Sequence, residues 1–278
     1  MAQWREESLQ EGDGIIVGVD CNLEWALPWW WLYYSSHNTY PVTFVDFGMT
    51  GRAKQWCSER GELRALAISN DFVLPMDKIA PDLALRWKKE ITGHWWECRT
   101  GWFKKPLALL HTPYQRTIWI DIDCEVRGEL SPIFTFCHNP AGLAVTPVSE
   151  SAHEDLLKIQ LRHPDEVIYS SGLVVYERHS PIIEEWAERA LTQNAEFFGD
   201  QDLLSRILYE RKTPFSPLPE MYHHIALDDR LDTLVKHWGG GRGKVHILEM
   251  MRKLSALFPG ILDLVSILFP DALDLTEN

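Results

Sequence analysis

A chain of 278 residues with 45% hydrophobic side chains is long enough for one large α/β domain or two small ones with a full core. Its formal charge of −13 argues against a nucleic-acid partner, whose phosphates demand a basic face. No stretch reaches about 20 uninterrupted apolar residues, so no transmembrane segment is expected.

The opening MAQWREESLQEGDG is polar and acidic and lacks the apolar segment of a signal peptide, so cytoplasmic residence is the expectation. Residues 14–20, GIIVGVD, predict a buried strand ending on Asp20, with Asn22 just beyond. Residues 25–36 predict a strongly apolar helix. Residues 40–50 predict a second strand ending on Asp46 and Gly48, residues 51–62 a helix, and residues 65–69 a weaker third strand. Strands alternating with helices indicate a mostly parallel, doubly wound sheet flanked by helices. No G-x-G-x-x-G follows the first strand, so a dinucleotide fingerprint is missing. Residues 70–100 carry Pro75, Pro81, Gly93 and Trp95-Trp96, and read as loop and short helix. A helix over 102–110 places Pro106 near its first turn.

A strand through Ile118–Ile120 that ends on two acids is expected next, then strands at 142–148 and at 166–177, the last broken by Ser170-Ser171-Gly172. Residues 153–163 read as an amphipathic helix. Residues 180–193 predict a helix capped by Ser180, with Pro181 first and Ile182, Ile183, Trp186 and Ala190 on one face. Residues 199–210 predict another, opened by Asp200. HWGGGRGK, residues 237–244, reads as a glycine-rich loop, and residues 245–278 as an apolar helical extension, packing back on the domain in preference to a membrane or partner contact. Five scattered cysteines without C-x-x-C spacing suggest neither a zinc site nor a disulfide framework. Most of the 13 Trp are expected in the core rather than stacked on a ligand. His223-His224 and Asp228-Asp229 point to no particular role.

The stretch RTIWIDID concentrates the chemistry. Ile118, Trp119 and Ile120 form a buried-strand run that stops on Asp121 and Asp123. Ligands of parallel sheets sit beyond the carboxyl ends of the strands. Two carboxylates there, with no neighbouring cation before Arg127, call for a hard ion such as Mn²⁺ or Mg²⁺.

Together these motifs resemble a GT-A glycosyltransferase, most of all the family-eight group of glycogenin and bacterial galactosyltransferases. The resemblance runs from about Ile15 to Lys244. The strand ending at Asp20 and Asn22 matches the family's nucleotide-binding first strand. Lys105 stands 16 residues before Asp121, the family's spacing for a lysine near the sugar or diphosphate. Asp121, Ile122 and Asp123 match its D-x-D. IYSSGLVVY resembles its N-S-G strand, with Ser170 in place of Asn and Ser171 in place. Gly199, Asp200 and Gln201 match its G-D-Q. His237 and Gly240 fit its H-x-x-G-x-x-K loop, with Lys244 one residue late.

The resemblance implies residues 1–244 as the glycosyltransferase domain, with a nucleotide half at 14–124 and an acceptor half at 125–244. It implies a nucleotide-sugar donor, a UDP-sugar foremost, a carbohydrate, protein or lipid acceptor, and retention of configuration. Asp121, Asp123 and His237 would hold the metal. Arg242, Lys244 and the backbone of Gly239–Gly241 would hold the diphosphate. Asp200, Gln201 and Lys105 would act at the sugar. Asp200 equally suits a helix cap. A sugar-phosphate nucleotidyltransferase and a non-catalytic carbohydrate- or protein-binding module of the same fold are the alternatives.

Overall fold

The computed structural model describes residues 10–90, 95–148, 163–225 and 228–257. They fall into two compact units. The first, here the Asp123 unit, is drawn from Ile15–Ala65, Ile120–Ile133 and Pro219–Asn278. The second, the Lys105 unit, is drawn from Met1–Gly14, Leu66–Trp119 and Phe134–Leu218.

In the Asp123 unit, β1 (Asp13–Val19), β2 (Val42–Asp46) and β3 (Glu62–Ala65) run parallel, with Ile15 opposite Val42 and Thr43 opposite Glu62. Ile15, Ile16 and Val17 are buried on both faces of the sheet. Helix α1 (Leu27–Ser35) buries Trp29, Trp30 and Tyr34, and Trp30 stacks on Tyr34 with ring centroids 5.0 Å apart. Helix α2 (Gly51–Ser58) starts at Thr50, whose hydroxyl accepts from the Ala53 amide. Buried Glu24 accepts from both the amide and the hydroxyl of Thr50, at 2.7 Å each, and so ties the end of α1's leading turn to the start of α2.

The Lys105 unit contains α3 (Pro81–Glu90), α4 (Trp95–Leu110) and most of β4 (Arg116–Ile120). It also contains the antiparallel pair β6 (Leu143–Pro147) and β7 (Tyr169–Glu177), and helices α5 (Pro181–Thr192) and α6 (Asp200–Arg211). As expected, Ser180 caps α5 by accepting from the Ile183 amide, and Pro181 opens the helix. Arg99 on α4 is buried and spends its guanidinium on main-chain carbonyls. It donates to Phe198 at 2.8 Å, Phe197 at 2.9 Å, Leu74 at 3.2 Å, and also to Asn194. Its plane lies 4.4 Å over the Trp96 ring. One cation thereby fixes the loop that leads into α6.

The six-stranded sheet has the order β3-β2-β1-β4-β7-β6 and is mostly parallel, with helices on its faces. A second, two-stranded sheet pairs β5 (Cys124–Val126) antiparallel with β8 (Val235–His237). Helix α7 (Gly240–Leu257) follows. No helix among the described residues is long and apolar enough to cross a membrane.

Several sequence expectations change. The third strand lies at Glu62–Ala65, before the expected 65–69. It is a sheet edge, so it carries the charged pair Glu62 and Arg64 instead of an apolar run. Helix α4 begins at Trp95, which leaves Pro106 in its interior instead of its first turn. β7 is continuous as a strand, but the expected irregularity at Ser170-Ser171-Gly172 is present as a register shift against β6, where Val145 pairs with Val174 and Pro147 with Tyr169. The glycine-rich stretch is largely the first turns of α7, not a loop. The helices expected at 153–163 and beyond 257 lie outside the described residues.

Candidate active site

The Asp123 unit gathers a charged cluster where β4 ends. Ile118, Trp119 and Ile120 are buried, and the chain then turns, with the Cys124 amide donating to the Asp121 carbonyl at 3.0 Å. Ile122 points into the core, which leaves Asp121 half-buried and Asp123 buried on the other side of the turn. The Asp123 carbonyl accepts from the Trp238 amide at 2.9 Å, so the end of β8 is hydrogen-bonded to the acid pair. That contact carries His237 over Asp123, with Nε2 3.2 Å from Oδ1. Ligand atoms of Asp121, Asp123 and His237 lie within 4.8 Å of one another. Two carboxylates and one imidazole at this spacing suit Mn²⁺ or Mg²⁺.

The sequence showed no cation near the pair, yet the fold supplies one. Lys244 Nζ contacts Asp123 Oδ2 directly. Two glycines make this approach possible. Gly240 opens α7 at φ +73°, a left-handed conformation that strains a side chain. A Cβ on Gly243 would lie 1.9 Å from the Trp238 carbonyl oxygen, so only hydrogen fits where α7 crosses that carbonyl. Burial alone would raise the Asp123 carboxyl, but Lys244 and His237 overcome it and hold it well below the usual range. Burial likewise works against the Lys244 charge, and Asp123, with Asp121, more than restores it. An ammonium standing on a carboxylate of this set marks the spot as one that takes positive charge.

Around the cluster, His237 Nδ1 lies 3.3 Å from His223 Nε2. Buried Glu125 accepts from the Trp238 indole at 2.8 Å and from Arg127 at 2.9 Å. Sequence reading passed over His223. No local pattern could have exposed it, because its partner lies 14 residues on, in β8. At the end of β1, Asp20 accepts from the amides of Asn22 at 3.0 Å and Leu23 at 3.2 Å, and from the Asn22 side chain at 3.1 Å. Arg242 is exposed on the first turn of α7.

The Lys105 unit holds its own cluster. Lys105 is buried, 4% exposed, although a lone lysine is ordinarily solvated. Its Nζ lies 3.3 Å from Asp200 Oδ2 and donates to the Ser171 carbonyl and hydroxyl, both at 3.1 Å. The sequence candidates Lys105, Ser171 and Asp200 are thus brought together. Ser170 instead accepts from the Gly172 amide at 3.2 Å. Gln201 is half-buried, and its carbonyl accepts from the Ser205 hydroxyl. Asp202, not Asp200, takes the capping role at α6, accepting from the Gly199 amide at 3.0 Å. Burial, reinforced by Asp200 and Glu166, pushes the Asp202 carboxyl up to about 7.

Comparison with known proteins now places the architecture. No protein-family model matches the sequence, and no curated protein matches it. Solved structures do. A galactosyltransferase LgtC, crystallised with donor and acceptor sugar analogues, superposes with a TM-score of 0.57 at 14% identity, covering 83% of this chain and 88% of that one. The bifunctional glycosyltransferase WbbM gives 0.51 at 15% identity over 88% of this chain and 48% of that one. Mouse xyloside xylosyltransferase 1 gives 0.50 at 13% identity over 84% and 99%. The chain has the GT-A glycosyltransferase fold.

Proposed function

We propose that this protein is a metal-dependent glycosyltransferase, moving a hexose from a nucleotide sugar, a UDP-sugar foremost, to a carbohydrate, protein or lipid acceptor with retention of configuration. The observation that carries the proposal is the convergence of Asp121, Asp123 and His237 within 4.8 Å at the end of a GT-A strand, with Lys244 beside them. Those three side chains would hold Mn²⁺ or Mg²⁺. When bound, such an ion neutralises the charge that grows on a departing nucleoside diphosphate.

The remaining work belongs to the chain. The opening turn of α7 has main-chain N–H groups without intrahelical partners, and its dipole favours an anion. Lys244 would exchange Asp123 for a diphosphate oxygen, and exposed Arg242 reaches the same anion. Each well-aimed donor of this kind is worth about 3 kcal/mol in the transition state. Asp20 and Asn22 are proposed for the base and ribose. Lys105, Asp200, Gln201, Ser170 and Ser171 are proposed for the donor sugar, with Lys105 fixing the direction of the Asp200 carboxylate.

The test is a thermal-shift series with UDP, GDP and CMP, each with and without Mn²⁺. At about 100-fold excess over Kd a ligand adds about 2.7 kcal/mol, several degrees in Tm for a chain of this size. UDP is expected to act only with Mn²⁺, and Asp123→Ala to abolish that shift. An Asp123→Ala protein that shifts and transfers like the parent would overturn the assignment.

A further inference from the structure

Beside the acid pair lies a second ligand set of different chemistry. Cys124 stands opposite His237 in the β5–β8 pairing. His223 enters from the segment running along β8, where the His224 amide donates to Val235 at 3.0 Å and the His237 amide to His224 at 2.8 Å. Neighbouring strands therefore deliver one thiol and two imidazoles to one point. Their ligand atoms lie within 4.8 Å of one another. Cys124 and His223 are fully buried at 0% exposure, and the partly exposed His237 gives the point its one side toward solvent among the three.

We propose that Cys124, His223 and His237 form a soft-metal site, distinct from the aspartate set, that takes a thiolate-preferring ion such as Zn²⁺. Sulfur and imidazole ligands select zinc, whereas the carboxylates of Asp121 and Asp123 select Mg²⁺ or Mn²⁺. The spacing fits. His223 Nε2 and His237 Nδ1 are 3.3 Å apart. Two nitrogens bound tetrahedrally to zinc at about 2.0–2.1 Å sit about 3.3–3.4 Å apart. The rings lie within 15° of parallel, with centroids 5.4 Å apart. Binding displaces the thiol proton, with no change of oxidation state. Three protein ligands leave a fourth position open.

The two sets share one ring and use opposite sides of it. Nδ1 faces His223, and Nε2 lies 3.2 Å from Asp123 Oδ1. A ring bound through Nδ1 carries its proton on Nε2 and points that N–H at Asp123. His237 then has no lone pair for the aspartate set. Zinc therefore antagonises Mn²⁺ by capturing the shared imidazole, a consequence that rests on the metal reading of the proposed function.

The experiment titrates Co²⁺ into the metal-free full chain without oxygen and reads the thiolate-to-cobalt charge-transfer band. In parallel, the electron paramagnetic resonance signal of free Mn²⁺ measures Mn²⁺ binding with UDP present. The parent is expected to develop the band at one equivalent, and Zn²⁺ to erase it and release bound Mn²⁺. Cys124→Ser should lose the band, bind Mn²⁺ within threefold of the parent, and need at least tenfold more Zn²⁺ to release it. That retained Mn²⁺ binding also certifies the variant's fold. A parent that binds Co²⁺ without the band would overturn the soft site, leaving a hydrogen-bonded imidazole pair only. A band without any Mn²⁺ binding would support the soft site and sink the proposed metal dependence. Zn²⁺ releasing Mn²⁺ equally from parent and Cys124→Ser would overturn the shared-ring antagonism.

Discussion

Replacing Lys105 by Met tests the buried pair at the heart of the Lys105 unit. Lys105 is 4% exposed and its ammonium lies 3.3 Å from Asp200 Oδ2, itself on a residue 4% exposed. At an effective dielectric of about 20, charges at that separation attract by roughly 5 kcal/mol. Desolvation of both groups offsets much of this, so the pair adds little net stability. Removing one partner is another matter. It takes the ammonium away from the buried Asp200 carboxylate and the donor away from two Ser171 acceptors, a loss of about 3–5 kcal/mol. Urea unfolding with linear extrapolation should register that loss in Lys105→Met. Asp200→Asn alone should also destabilise, and the double variant should recover at least about 2 kcal/mol relative to additivity. A Lys105→Met protein within about 0.5 kcal/mol of the parent, with no coupling in the cycle, would show the ammonium to be solvated and would refute the reasoning.

Asp202 supplies a pH-dependent prediction. Its folded carboxyl is raised from 3.8 to about 7, so the native state holds a proton that the unfolded state releases. Stability then falls as pH rises from about 4 to 7 and levels off above, by up to about 4 kcal/mol. Asp202→Asn should stabilise the chain most at pH 8, with the gain fading as pH drops below 7; a gain independent of pH would contradict this. Arg99→Lys keeps the charge but cannot reach four carbonyls from one planar group, and should cost about 3 kcal/mol in chemical denaturation. Parent-like stability would show the clamp to be dispensable. Gly243→Ala must displace the Trp238 carbonyl, 1.9 Å from the new carbon. It should lower stability by at least about 2 kcal/mol and weaken Mn²⁺ binding, since α7 carries Lys244. Unaltered metal affinity would separate the helix start from the acid cluster.

Some of this was legible in the chain. The run Ile118–Ile120 ending on Asp121 and Asp123 announces a buried strand with two carboxylates just beyond its end, and β4 forms there with that run buried. Ser180-Pro181 fixes a helix start locally, through one hydroxyl and one preset φ. Short pieces were not legible. β5 and β8 are three residues each, too short for any period, and exist because each satisfies the other's main chain. α4 was read short because Pro106 usually marks a helix start, whereas packing against α5 holds the longer helix together.

Local sequence therefore determined which segments become strands and helices, and which carboxylates end them, because hydrophobic period and capping act over a few residues. Tertiary structure alone decided which charges meet: Lys244 with Asp123, Lys105 with Asp200, and His223 with His237. Those pairings span 14 to 121 residues, and electrostatic partnership depends on distance in space. Only the register of β5 on β8 and the close passage of Gly243 over a carbonyl bring that distance to contact in the Asp123 unit.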